Sequence, residues 1–130
     1  MSEGAGEASA GGRFADELGI ETVKIGEGSA ILRMTVRDDM VNADGVCHGG
    51  AIFAFADSAA GAAAWSGGRK FVAQQASINW LRPAKAGAVL IAEAAQVSID
   101  GRSAVYDVTV RDEQEMRIAV VRNLSRESRS

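Results

Sequence analysis

An α+β fold, with an antiparallel sheet wrapped around one long helix, is predicted by three features of this sequence. Residues 51–64 are dense in helix formers, eight of the fourteen being alanine, the residue with the highest helix propensity. Almost everything after Gly67-Gly68 alternates apolar and polar residues as strands do. This helix is also the only element available to cover the apolar face of the sheet.

In chain order, residues 1–12, MSEGAGEASAGG, are small, polar and acidic, and read as a disordered tail ahead of a single domain over residues 13–130. The tail lacks the basic start and apolar run of a secretory signal. Phe14 and Leu18, at i and i+4, suggest a short helix. Ile20 to Ile25 reads as extended, and Gly26-Glu27-Gly28 as a turn. In the next strand Ala30, Leu32, Met34 and Val36 share one face, opposite Arg33, Thr35 and Arg37. Asp38 to His48 is a loop leading into the helix, which Gly67-Gly68 stops.

The helix has no strongly polar face and is expected to be buried all round. It is too short to cross a bilayer. Phe71 to Leu81 forms a strand closed by Arg82-Pro83. Ala88 to Ile99 follows, with Val89, Ile91, Ala95, Val97 and Ile99 as its apolar face. Asp100-Gly101 makes a hairpin turn. Ala104, Tyr106, Val108 and Val110 then alternate with polar residues. A turn over Asp112 to Glu115 leads to a last strand from Met116 to Leu124, and the terminal SRESRS reads as frayed.

The chain has 130 residues, a length that suits one domain with a substantial core. Its net charge of −3 argues against nucleic acid or an anionic membrane as the main partner. The lone Cys47 excludes an intramolecular disulfide and fits a reducing, cytoplasmic compartment. One histidine and one cysteine make a structural metal site implausible, so no metal is expected. Asp57 is the anomaly: it is the only charged residue between His48 and Arg69, set mid-helix where burial penalises ionisation.

Asn42, His48-Gly49-Gly50 and Asp57 lie within VNADGVCHGGAIFAFAD. With SINWLRPAKAG from Ser77 and GRSAVYDVTVRD from Gly101, this pattern resembles the hotdog-fold acyl-CoA thioesterases of the phenylacetate-degradation type. The likeness covers everything after the tail. It rests on the combination of motifs, since HGG alone is weak. It implies a hydrolase that cleaves the thioester of a small or aromatic acyl-CoA, with coenzyme A as part of the substrate and no separate cofactor. The acid at Asp57 would serve as general base or nucleophile, and the Gly49 N–H would polarise the carbonyl. Asn42 and His48 match polar residues lining the same site. Homodimers at minimum, often homotetramers, are implied as well.

Elementary chemistry supports these roles and supplies plainer readings beside them. A helix N-terminus offers unpaired N–H groups where an oxyanion would sit. Gly49 and Gly50 let a substrate approach that backbone, or merely turn the chain tightly into the helix. Asp57 could be a satisfied core acid bonded to Ser58 or to a backbone N–H, although isolated core carboxylates are rare. Ser58 could instead bind the acid or a water, or be an ordinary helix serine.

His48 reads as an orienting residue or a structural loop histidine, and Cys47 as a passive small residue. Asn42 could hold a water or the carbonyl, or simply shape a turn. Arg82 and Pro83, with Lys85 behind them, could grip coenzyme A phosphates or be solvated surface. Asn79 and Trp80 lie on opposite faces of their strand, so at most one faces the helix.

Gly49 and Asp57 are eight residues apart, about 12 Å along one helix at 1.5 Å per residue. They cannot serve one carbonyl from the same chain, so composite sites across a dimer are expected. Two other functions compete with this reading. An enoyl-thioester hydratase or dehydratase of the same fold usually has a histidine downstream of the acid, whereas here the only histidine precedes it. A non-catalytic acyl-CoA-binding protein has little use for a buried base.

Overall fold

The computed structural model describes residues 12–129; the expected disorder of the tail concerns residues that, apart from Gly12, lie outside this range. Helix α1 (Gly12–Glu17) leads into strands β1 (Glu21–Gly26) and β2 (Ser29–Thr35). A turn of 3-10 helix (Asp38–Met40) then precedes the long helix α2 (Gly49–Trp65). Strands β3 (Phe71–Trp80), β4 (Val89–Asp100), β5 (Ser103–Arg111) and β6 (Arg117–Glu127) complete the described chain. The fold is a hotdog: one six-stranded sheet in the order β1-β2-β4-β5-β6-β3, wrapped around α2. Every neighbouring pair is antiparallel. The α2 crossover carries the chain from β2 to β3 at the far edge, so one side of β3 has no strand partner among the described residues.

The core lies between the concave face of the sheet and one stripe of α2. Leu32, Met34, Leu90, Ala92, Ala94, Tyr106, Val108, Val110 and Ile118 are buried from the sheet side. Ile52, Phe55, Ala56, Ala59, Ala60 and Ala63 are buried from the helix side. Their i, i+3, i+4, i+7 spacing makes a single face. Alanine at most of these positions lets the helix axis come close to the sheet, and Phe55 fills the space that remains. Burying Phe55 alone contributes about 1.5–3 kcal/mol.

Four expectations change. The helix is not buried all round: Phe53, Ala54, Asp57, Ser58 and Gly61 are only partly covered, because the sheet reaches one face alone. In β4 the buried residues are Leu90, Ala92 and Ala94, not the face carrying Val89, Ile91, Ala95, Val97 and Ile99. Both faces of VLIAEAA carry apolar residues, but Glu93 falls on the Val89/Ile91 face and marks it as the exposed one, and an irregular register between Gln96 and Ser98 further separates the two halves of the strand. The C-terminal residues continue β6 through Glu127 instead of fraying. There Ser125 is buried, Arg69 Nη2 donates to Glu127 Oε1 at 2.6 Å, and Ser128 N–H donates to the Lys70 carbonyl. The helix also starts two residues earlier than its alanine-rich stretch suggests, at Gly49.

Candidate active site

The site is assembled at the start of α2. Asn42 shapes the approach: its Oδ1 accepts from the Asp44 and Val46 N–H groups at 2.9 and 3.3 Å, and its own N–H donates to the Val46 carbonyl. This is the turn-forming use of asparagine. The loop is then held from both sides. His48 N–H donates to the Met40 carbonyl, and Cys47 N–H donates to the Ala84 carbonyl at 2.7 Å. Through that second bond and the Val46–Lys85 bridge, the Arg82-Pro83-Ala84-Lys85 segment lies along the loop. The exposed Arg82 guanidinium makes no ion pair among the described residues.

His48 caps the helix. Its Nδ1 accepts the Gly50 N–H at 2.8 Å, which places the imidazole proton on Nε2 in the neutral ring. A Cβ on Gly50 would stand 3.0 Å from that Nδ1, so glycine makes room for the cap. On the other side of the same peptide unit, Trp80 Nε1 donates to the Gly49 carbonyl at 3.2 Å. The Gly49–Gly50 peptide is therefore clamped at both its C=O and its N–H.

The Trp80 ring would lie 3.0 Å from a Cβ on Gly49, so the missing side chain there admits an indole. Ala51 and Ile52 N–H groups both turn back to the His48 carbonyl. The Gly49 N–H is left as the one amide of this first turn with no acceptor among the described residues.

Asp57 lies two turns further on, on the uncovered face. With Gly50, Phe53, Ala54, Ser58, Gly61 and Phe14 of α1 it lines a half-open cavity of about 400 Å³, a size typical of small-molecule sites. Burial raises its carboxyl above the ordinary aspartate value. Its carboxylate accepts no hydrogen bond among the described residues. Ser58 does not satisfy it, because the hydroxyl donates to the Ala54 carbonyl at 2.9 Å.

Cys47 is buried, its thiol raised by that burial and directed at the His48 carbonyl. No group of three His, Cys, Asp or Glu side chains among the described residues could hold a metal. No described helix is long and apolar enough to cross a membrane.

The structure thus gathers Asn42, His48, Gly49 and Gly50 at one end of α2, with Arg82 and Pro83 on the adjoining segment, and puts Asp57 and Ser58 in the cavity beside them. Gly49 and Asp57 belong to one unbroken helix, so about 12 Å separates them. Trp80, Phe14, Phe53 and Gly61 carry no polar motif that sequence reading could seize on. Only the closing of β3 and α1 over α2 brings Trp80 and Phe14 to the site, and only the packing of α2 on the sheet leaves Phe53 and Gly61 on its open face.

Comparison with known proteins agrees with this geometry. The Thioesterase superfamily matches residues 44–119. The acyl-coenzyme A thioesterase PaaI of Escherichia coli K12 is 39% identical over 112 residues, which cover 85% of this chain and 79% of that protein. The structure of E. coli PaaI, from the phenylacetic acid degradation operon, superposes with a TM-score of 0.89 at 35% identity, over 91% of this chain and 86% of that one. A protein of Streptococcus mutans UA159 bound to acetyl CoA superposes with a TM-score of 0.82 at 29% identity, over 84% and 88% of the two chains. A sheet wrapped around a helix that opens on HGG, joined to these matches, makes this chain a member of the Thioesterase superfamily, a hotdog-fold acyl-CoA thioesterase related to the PaaI type.

Proposed function

We propose that the enzyme hydrolyses the thioester of a small or aromatic acyl-CoA at sites shared between two protomers, with Asp57 of one protomer as general base and the Gly49 N–H of the other as oxyanion donor. The observation that carries this reading is Asp57: a half-covered carboxylate with no hydrogen-bond partner among the described residues, in a cavity open to water. A carboxylate whose proton affinity is raised by burial is a better base near neutral pH than an exposed one. Asp57 takes a proton from water as the water oxygen attacks the thioester carbon. Charge then builds on the carbonyl oxygen, where a preorganised N–H stabilises it. Collapse of the tetrahedral intermediate breaks the C–S bond, releasing the acid and the coenzyme A thiolate, and the thiolate takes up the proton.

His48 and Trp80 keep the donor in place by clamping the adjacent peptide. Asn42 shapes the loop before it. Ser58 lines the cavity beside the base, and Gly50 gives the cap its room. Arg82, next to Pro83, and Lys85 are exposed beside this loop, where they suit the coenzyme A phosphates. The open edge of β3, with Trp80 and Leu81 exposed on and just after it, suits a second copy of the chain. A two-fold axis between antiparallel α2 helices would set each Gly49 against the other Asp57. A dimer is the smallest assembly that does this, and a tetramer repeats it.

Complementation tests the shared site. One chain carries Asp57→Ala. The other carries Gly49→Pro together with Trp80→Ala, so that the pyrrolidine has space. Each homodimer should be inactive. Co-refolding equal amounts should restore about one quarter of the activity of refolded wild type, since half the dimers are mixed and each has one intact site, whose donor Gly49 lies in the chain that keeps Trp80. No recovery despite demonstrated subunit exchange would refute the shared arrangement.

A further inference from the structure

Gly61 stands in the interior of α2 between Ala60 and Ala62, where glycine is the least favourable residue after proline. Nothing in the described chain accounts for it. Its φ is not positive, and a Cβ built on it meets no atom within 4 Å. Gly28 and Gly68, by contrast, sit at positive φ, and Gly49 and Gly50 have a ring in the space of their Cβ. The space above Gly61 is therefore not filled by the described chain itself. That space belongs to the Asp57 cavity, which runs along one stripe of the helix from Gly50 past Phe53, Ala54 and Asp57 to Gly61, with Phe14 over it.

We propose that Gly61 is a specificity-determining residue, whose missing side chain keeps the acyl end of the Asp57 cavity deep enough for an aryl-acyl group. Four residues separate it from Asp57, about 6 Å along the helix. A carbonyl carbon attacked at Asp57 carries an acetyl methyl only one bond away, far short of Gly61. A phenylacetyl ring, one carbon further out and several ångströms long, extends over it. Phe14 and Phe53 supply aromatic surface on the same walls, while Ala54 and Gly61 leave the depth. A side chain at 61 projects from the helix into this space and shortens the pocket from its far end.

The inference rests on the proposed role of Asp57, and the test separates the two. Wild type, Gly61→Ala, Gly61→Leu and Asp57→Asn are assayed for thiol release from phenylacetyl-CoA and acetyl-CoA, and sized by analytical ultracentrifugation. Wild type should prefer phenylacetyl-CoA in kcat/KM. Gly61→Leu should lower the ratio of the two kcat/KM values at least about tenfold, and Gly61→Ala by about threefold, in line with the discrimination that one or a few methylenes provide. The assembly state should not change.

An unchanged ratio in Gly61→Leu, with Asp57→Asn inactive on both substrates, would place the acyl group elsewhere and overturn the inference alone. So would a wild type that prefers acetyl-CoA. If Gly61→Leu falls apart into monomers, the open space belongs to a second copy, and the inference is again overturned. Full activity of Asp57→Asn would remove the reading on which it stands.

Discussion

The two faces of α2 are written in nearly the same alphabet and do opposite work. One stripe, Ile52, Phe55, Ala56, Ala59, Ala60 and Ala63, is buried against the sheet. The other, Gly50, Phe53, Ala54, Asp57, Ser58 and Gly61, lines the cavity. The second is the first moved two residues toward the N-terminus, about 200° around a helix of 3.6 residues per turn. The packed face tolerates no polar group, because it has neither water nor a partner to offer one. The open face holds a carboxylate because solvent still reaches it. Small residues serve close packing on one face and leave a cavity open along the other.

Substitutions on the two faces should therefore fail in different currencies. The largest effect is expected from Asp57→Asn on the open face: turnover should fall at least about 10²-fold, roughly 2.7 kcal/mol of barrier, with the circular-dichroism spectrum unchanged. Near-normal turnover would erase the functional distinction between the faces. The same variant should also be more stable than wild type at neutral pH. Burial raises the folded-state pKa of Asp57, so the stability linked to its protonation is present below the unfolded value and lost as pH rises through the folded one. Asparagine has no such loss. The gain in thermal midpoint should shrink as the pH is lowered through the carboxylate range, and a gain independent of pH would contradict the raised pKa.

On the packed face, Ala60→Leu should cost about 1–3 kcal/mol in urea unfolding by overpacking, since Ala60 is fully enclosed by the sheet. A neutral result would mean that the sheet yields. His48→Ala, at the end shared by both faces, should cost about 1 kcal/mol through loss of the helix cap. It should reduce kcat by less than Asp57→Asn does, and the reverse ranking would make His48 the principal catalytic group. Smallest is Gly61→Ala, which should raise stability by about 0.5–1 kcal/mol, because alanine removes the glycine penalty and meets no neighbour. Destabilisation there would reveal a contact within the chain or its assembly.

Periodicity found the elements because local sequence controls them. The alanine-rich run could only be a helix, and the alternation of Leu32 with Arg33 or of Tyr106 with Asp107 could only be a half-buried strand. Asp57 and the glycine pair stand out in the sequence for a related reason: a lone carboxylate in an apolar helix and a glycine pair before it are local anomalies, whereas Asn42 and His48 stand out only through the resemblance to the family motif. The face of β4 was only faintly legible, since Leu90 and Ile91 are equally apolar and a single charge, Glu93, marks the Ile91 face as the exposed one.

The roles of the glycines were also beyond sequence. Gly49 admits Trp80, from a strand that joins the site only after the crossover, and Gly61 faces space that exists only once α1 and α2 have packed. By itself the sequence determined which stretches are helix and strand, and which acid is out of place, because backbone preference and the aversion of charge to apolar surroundings act over a few residues. Tertiary structure alone decided which face of α2 is buried, which N–H stays free and where the cavity ends. Those depend on the distance between groups far apart in the chain, and no local pattern encodes that distance.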